Sequence, residues 1–277
     1  TVTTEDGKKW QPKNSDRKSH GMVTLSSALA RSYNQATVRL GMQMGTERLV
    51  DLINALTGEK VTANPSLLLG STDMSVYSVT QLYQFLASGG RVQPLHAVLG
   101  VLDAQGKVLN RYEVKPTKAQ KGDAIAARLV SIAMQQTVTS GTARALLSDG
   151  LGDLQSAGKT GTSNDSRDSW YAGFTGDHLT VVWVGNDKNE PTGLYGATGG
   201  MRVWSNLYKR LPTRPLIVSG EGLEWTYLDQ AQFATTDEFC LGARRAVFVA
   251  GYLPTEAVSC GDKPAESNSW MDWITDK

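Results

Sequence analysis

The stretch SAGKTGTSNDSRDSWYAGFTGDHLTVVWVG, residues 156–185, decides how this chain folds. It holds three short runs rich in β-branched and aromatic residues: one around Lys159-Thr160-Gly161-Thr162, then SWYAGF, then LTVVWVG. The last two are joined only by Thr175-Gly176-Asp177-His178, a connection too short for a crossover, so the pair is expected to be antiparallel.

Helical patterns surround this sheet. After Thr46, read as an N-cap, Leu49, Ile53 and Leu56 recur at helical spacing until Gly58. Ser78 is expected to cap a second helix, with Val79, Leu82, Tyr83 and Leu86 on one face and Gly89-Gly90 as its stop. A third carries Ile125, Leu129, Ile132 and Ala133 on one side, and a fourth, after the strands, carries Met201, Trp204, Leu207, Tyr208 and Leu211. Between the second and third, RVQPLHAVLGVLDAQGKVLNRYEV reads as a hairpin turning at Asp103-Ala104-Gln105-Gly106. Helices before and after a run of antiparallel strands give an α+β fold, an antiparallel sheet flanked by helices, rather than βαβ alternation.

Pro212-Thr213-Arg214-Pro215 breaks the last helix, and the composition then shifts to short apolar runs, turns and a cysteine pair. The expected domains are therefore 1–212 and a small accessory segment, 213–277. Its tail is polar until Trp270, Trp273 and Ile274, which read as a short amphipathic turn or a solvated end.

With 277 residues a sizeable core is possible, and a formal net charge of +1 gives no electrostatic hold on nucleic acid. No apolar run approaches the roughly 18 residues that a membrane helix requires. The opening Thr1-Val2-Thr3-Thr4-Glu5-Asp6 lacks both an initiating Met and the look of a signal peptide, so we expect a piece whose targeting segment lies upstream. The two cysteines, Cys240 and Cys260, enclose a short loop that an oxidising compartment would close; the alternative is a pair of unlinked cytosolic thiols. No His/Cys cluster suggests a metal.

The chemistry is expected in two places. Lys159-Thr160-Gly161-Thr162 begins a strand, where Gly161 leaves space for an extended peptide to pair with the backbone. The Thr162 amide then serves a developing oxyanion, while the Thr160 and Thr162 hydroxyls, with Lys159 behind them, suit a carboxylate. Upstream, in ALARSYNQATVRLG, Ser32 and Asn34 flank Tyr33 between two helical patterns. In an extended loop, alternate residues project the same way, so both would enter one cleft, Ser32 relaying a proton and Asn34 holding a substrate amide. As a plain helix-capping turn the same residues need no function.

In that order, Ser-x-Asn then Lys-Thr-Gly, the two elements match penicillin-recognising serine enzymes. MVTLSSALARSYNQATVRLGMQMG, SAGKTGTSNDSRDSWYAGF, VVWVGNDKNEPTGLYGATGG and the VTSGTARAL loop together resemble the transpeptidase domain of class A penicillin-binding proteins, the one-b type of bifunctional peptidoglycan synthase above all. The resemblance covers most of Gly21 to Leu211, and the paired cysteines resemble that type's C-terminal segment. It implies a D,D-transpeptidase on the periplasmic face of the bacterial inner membrane. Its substrates would be peptidoglycan stem peptides ending in D-Ala-D-Ala, its inhibitors β-lactams, and no cofactor or metal is implied. Cell-wall regulatory lipoproteins are the implied partners if the accessory segment is a docking surface rather than a cap.

The family's nucleophile, Ser-x-x-Lys, needs serine and lysine on successive turns of a helix. Ser15-Asp16-Arg17-Lys18 lies in a polar stretch too near Ser32, and Ser156-Ala157-Gly158-Lys159 overlaps the strand. The serine is therefore expected on a segment upstream of Thr1. The rival readings are a D,D-carboxypeptidase, a serine β-lactamase, and a non-catalytic peptidoglycan-binding scaffold. Asp168 matches the family's Asp-Ser-Trp pattern with a structural role expected, and His20, His96 and His178 are too scattered to form a triad.

Overall fold

The computed structural model describes residues 1–3, 7–113, 115 and 121–260. They form two compact units, the first running from Thr1 to Val218 and the second from Ser219 onward. Trp270, Trp273 and Ile274 lie outside the described residues.

In the first unit the order is β1 (Val2–Thr3), β2 (Lys9–Trp10), α1 (Leu25–Arg31), α2 (Asn34–Met44), α3 (Thr46–Thr57), α4 (Val76–Ala87), β3 (Gly100–Leu102), β4 (Val108–Arg111), α5 (Lys121–Ser140), α6 (Ala145–Ser148), β5 (Ala157–Thr162), β6 (Ser169–Phe174), β7 (Leu179–Val184) and α7 (Gly200–Tyr208). The three runs of residues 156–185 become one antiparallel sheet in the order β5-β6-β7, with β5 at an edge. This is the expected α+β architecture.

Both faces of the sheet are covered, which is why β6 is buried almost throughout. On one face Tyr171 packs with Met201, Trp204 and Tyr208 of α7 and with Val138, Ala143, Leu146 and Leu151. On the other, Ala157 and Phe174 pack with Met134 of α5, and Leu29, Tyr83 and Leu86 close over them from α1 and α4. Gly173 is small because the Tyr171 and Trp204 rings need the room: a Cβ there would lie 2.7 Å from Tyr171 Cε1 and 3.2 Å from the indole. Burial on this scale, at roughly 25 cal/mol per Å² of apolar surface, is what fixes the helices against the strands.

Local chemistry moved several expected boundaries. The cap of α4 is Ser75, not Ser78: Ser75 Oγ accepts from the Ser78 amide, while the Ser78 hydroxyl is buried and donates to Glu59 Oε1 at 2.7 Å. Helix α3 starts at Thr46 itself, with Gly45 as its N-cap, and ends at Gly58 in the left-handed conformation, φ 74°. On α7 the buried stripe is Met201, Trp204, Ser205 and Tyr208; Leu207 is 43 % exposed and Leu211 lies beyond the helix end. The hairpin does turn at Asp103–Gly106, where Asp103 Oδ1 accepts from the Gln105 and Lys107 amides, but pairing is confined to β3 and β4.

The break expected at residue 212 lies further on. Arg214 bonds to the Asp177 carboxylate through its amide and Nε, both at 2.7 Å, and the Leu216 amide donates to the Leu154 carbonyl at 2.9 Å. These bonds keep residues 213–216 in the first unit even though the helix has ended.

The second unit is a sheet in the order β10-β8-β9, from β8 (Leu223–Asp229), β9 (Ala234–Thr236) and β10 (Arg244–Val249). Arg245 lies 4.2 Å over the Trp225 ring, and Cys240 and Cys260 are joined with their Cα atoms 5.0 Å apart. Leu228 and Ala234 are the fully buried apolar residues of this unit among those described, so the crosslink carries much of its stability. Replacing both cysteines by serine is expected to cost the unit about 3 kcal/mol. Hydrogen exchange reads this directly: protection of the β8 and β10 amides should fall, and unchanged protection would show that the sheet holds without the crosslink.

Candidate active site

The site forms where α1 ends and β5 begins its open edge. Helix α1 is opened by Thr24, whose hydroxyl accepts from the Ser27 amide, and closed by Ser32 at φ 57°, a left-handed conformation uncommon for a residue with a side chain. Tyr33 is extended, and Asn34 is already the first residue of α2. This differs from the extended loop expected for Ser32-Tyr33-Asn34. Ser32 thus closes one helix and Asn34 opens the next.

Ser32 meets β5. Lys159 Nζ donates to Ser32 Oγ at 2.9 Å and to the Thr160 carbonyl at 2.9 Å. Lys159 is partly buried, and desolvation lowers its pKa from the usual 10.5 to about 8. Because an ammonium can only donate, Ser32 Oγ is the acceptor in this contact and its own proton stays free to be passed on.

Asn34 goes elsewhere. Its Nδ2 donates to the Lys13 carbonyl at 2.8 Å. Next to it, the buried Asn14 accepts from the Gln35 amide through Oδ1 at 3.1 Å and donates to the Lys18 carbonyl at 2.7 Å. Residues 12–18 thus form a strap over the start of α2, satisfying an amide that Tyr33, which makes no side-chain cap bond, leaves open. His20 extends the strap, stacking on Tyr33 with ring centroids 4.0 Å apart.

Along β5 the backbone alternates. The Ser163 amide donates to the Asp168 carbonyl at 3.2 Å, so the next pair, Thr162 opposite Ser169, is one whose backbone groups turn away from each other. Gly158 and Thr160 share that parity, and their carbonyls are met from outside the sheet by the Thr137 hydroxyl at 2.8 Å and by Lys159 Nζ. The Thr162 N–H therefore points to the open side of β5, where an extended chain can pair.

Each hydroxyl on this edge is held by a neighbour. Thr162 Oγ1 accepts from the Gly196 amide at 2.9 Å, and Thr160 Oγ1 lies 2.8 Å from Thr142 Oγ1. Since an amide can only donate, the Thr162 O–H proton remains available to an acceptor outside. A Cβ at Gly161 would press on Trp170 Cβ at 3.2 Å, on the partner strand. The backbone of Gly196 also lies close over Gly161, where a Cβ on residue 196 would come 2.6 Å from the Gly161 oxygen.

The two Ser-x-x-Lys matches fail in the structure as they do in the sequence. Ser15 to Lys18 is a turn with Arg17 at φ 60°, and Ser156 is a buried residue leading into β5. Asp168 accepts from Trp183 Nε1 at 2.9 Å, tying β6 to β7. Among the described residues no group of His, Cys, Asp and Glu is arranged to hold a metal. Ser140-Gly141-Thr142 resembles a loop that borders the cleft in the family, but the contact of Thr142 with Thr160 was not expected, nor was the bond from the Gly196 amide to Thr162. The VTSGTARAL loop was a visible signal for the first, whereas a backbone N–H leaves none in a sequence.

A lysine held against a serine hydroxyl, beside two threonine hydroxyls on an open strand edge, is an arrangement suited to acyl transfer from a peptide. The sequence matches the family described as "Penicillin binding protein transpeptidase domain" over residues 1–199. This chain belongs to the penicillin-binding protein transpeptidase family. Its curated relatives include penicillin-binding protein 1B of Vibrio cholerae, 41 % identical over 226 residues, which covers 80 % of this chain and 29 % of that protein. Penicillin-binding protein 1B of Escherichia coli is 39 % identical over 217 residues, covering 76 % of this chain and 25 % of that protein. The chain thus spans less than a third of the length of these relatives. Among solved structures, penicillin-binding protein 1A of Haemophilus influenzae has the same fold, with a TM-score of 0.78 at 22 % identity over 92 % of this chain and 44 % of that one. Penicillin-binding protein A of Mycobacterium tuberculosis, in its imipenem acyl-enzyme complex, matches with a TM-score of 0.55 at 18 % identity over 75 % of this chain and 56 % of that one.

Proposed function

We propose that this chain forms the substrate groove of a D,D-transpeptidase in a bifunctional peptidoglycan synthase, acting through a serine acyl-enzyme and acylated by β-lactams. The observation that carries the reading is the 2.9 Å contact between Lys159 Nζ and Ser32 Oγ at the open edge of β5. The kinship to penicillin-binding proteins 1B and the imipenem acyl-enzyme complex of Mycobacterium tuberculosis penicillin-binding protein A support it.

The nucleophile is a serine on a segment outside these residues, upstream of Thr1. Two features support this: neither Ser-x-x-Lys match lies on a helix, and the relatives extend far beyond the matched part. The serine Oγ attacks the penultimate D-Ala carbonyl carbon of a stem peptide, and its proton passes to the lysine of its own motif. The oxyanion that forms takes a hydrogen bond from the Thr162 amide. As the C–N bond breaks, the departing D-Ala amine receives the Ser32 proton, which Lys159 replaces. The amine of a second stem peptide then attacks the ester carbonyl, giving up a proton through Ser32 to Lys159, while the departing serine takes back the proton held by the lysine of its own motif, leaving the crosslink. During acylation the donor's terminal carboxylate sits against the Thr160 and Thr162 hydroxyls and the charge of Lys159, and it leaves with the terminal D-Ala. Asn34 clamps the substrate amide once its bond to Lys13 is exchanged.

This activity belongs on the periplasmic face of the inner membrane. The joined cysteines suit that oxidising compartment. None of the described helices is long and apolar enough to cross a membrane.

A fluorescent penicillin tests the reading on the full-length protein. A covalent band that survives denaturation, and that unlabelled penicillin competes away, is the expected result; its absence refutes acyl-enzyme chemistry and leaves a peptidoglycan-binding scaffold. Transfer to an added D-amino acid, set against plain hydrolysis, separates a transpeptidase from a carboxypeptidase or β-lactamase.

A further inference from the structure

We infer that Thr142 is a positioning residue, whose hydroxyl turns the Thr160 proton toward the carboxylate of the bound substrate. The inference rests on the proposed transpeptidase function and adds to it a residue from outside both sequence motifs.

Thr142 sits where α5 has just ended. The Gly141 amide donates to the Thr137 carbonyl at 3.1 Å, and the Thr142 amide donates to the Ala30 carbonyl at 3.1 Å. Gly141 has no room for a side chain, since a Cβ would lie 2.7 Å from Thr137 Cα and 2.8 Å from the Ala30 carbonyl carbon. The tip is therefore pinned between α5 and the end of α1 by backbone alone. What the Thr142 side chain adds, among the described residues, is a hydrogen bond, Oγ1 to Thr160 Oγ1 at 2.8 Å.

A hydroxyl has one proton to give. If Thr160 donates to Thr142, that proton is spent inside the protein. If Thr142 donates to Thr160, the Thr160 proton is free for an outside acceptor. A carboxylate accepts only, so its arrival selects the second arrangement. The chain of bonds then runs from Thr142 through Thr160 to the anion, each donor strengthened by the one behind it. Thr162 reaches the same polarity by another route, because its acceptor site is filled by the Gly196 amide. The two threonines of β5 thus present two outward protons, one set by a loop amide and the other by the Thr142 hydroxyl.

The test is Thr142→Val in the full-length protein, which keeps the β-branched shape and the pinned backbone while removing the donor. Acylation by benzylpenicillin is resolved into a non-covalent dissociation constant and a first-order acylation rate. The dissociation constant is expected to rise about tenfold, the scale of a weakened hydrogen bond to a charged group, with the acylation rate little changed. Thr142→Ser should restore it. The methyl ester of the same penicillin, which lacks the charge, should bind the two forms alike. An unchanged dissociation constant for benzylpenicillin overturns the inference, and so does an equal loss for the ester, which would mean a structural role. If the unaltered protein forms no acyl-enzyme, the transpeptidase reading and this inference fall together.

Discussion

Replacing Lys159 by Met in the full-length protein is expected to slow acylation by a penicillin by about three orders of magnitude, the combined scale of a lost proton relay and a lost charge in a partly desolvated site. Met fills the same space without charge or donors, so Ser32 Oγ and the Thr160 carbonyl lose the bonds they now share through Nζ. The pH profile should change as well. In the native protein the charge is lost as pH rises through about 8, so acylation should fall on that limb, and the Met variant should lack the fall.

Stability supplies an independent reading of the same residue. Desolvation lowers the folded pKa of Lys159 from 10.5 to about 8, so between those values the unfolded chain binds more protons than the folded one. Stability from this group therefore rises with pH across that window and is constant below it, where both states are protonated. The gain is at most about 3 kcal/mol. Denaturant unfolding of native and Lys159→Met protein at pH 7 and pH 10 measures it. If the difference between them stays constant, Lys159 is not desolvated in solution, and the reading of its lowered pKa is wrong.

Trp204→Ala should give the largest loss of stability, about 3–5 kcal/mol, a sizeable part of what holds a typical domain together. The indole is fully buried, stacks on Tyr208 with centroids 3.8 Å apart, meets Tyr171 edge-on at 5.4 Å, and donates to the Gly173 carbonyl at 3.3 Å. Removing it leaves a cavity beneath β6, the strand against which β5 is aligned. Trp204→Phe keeps an aromatic ring in the stack and should lose less. A shift of the unfolding midpoint equivalent to less than about 1 kcal/mol would show that α7 can collapse onto the sheet without the indole.

Much of this molecule was legible in its sequence, for identifiable reasons. The sheet was readable because its runs are short, apolar and linked too tightly for any pairing but antiparallel. The Lys159 to Thr162 ribbon was readable because a strand's geometry alone determines where its amides face. The local geometry of Ser32-Tyr33-Asn34 was not, since a left-handed Ser32 closes one helix where an extended loop was expected. Nor was the strap at Asn14, which caps α2 from a distance that helical periodicity does not sense. The Ser75 cap was missed because Ser75 and Ser78 are equally good capping residues, and only the carboxylate of Glu59 decides which is buried.

The exposed margin of β5 carries one more consequence, for how this protein behaves in a crowd. An unpaired strand border invites a second copy of the same border, and sheets with long free borders tend to aggregate. Here the invitation is short. Thr137 already occupies the Gly158 carbonyl and Lys159 the Thr160 carbonyl, so what remains free is a few atoms, next to a cation that a second copy would have to meet with its own. A single flexible peptide with an anionic end fits such a remnant, whereas two rigid molecules gain too little from it to stay together. The open margin of β5 is thereby too short, by itself, to hold two copies together.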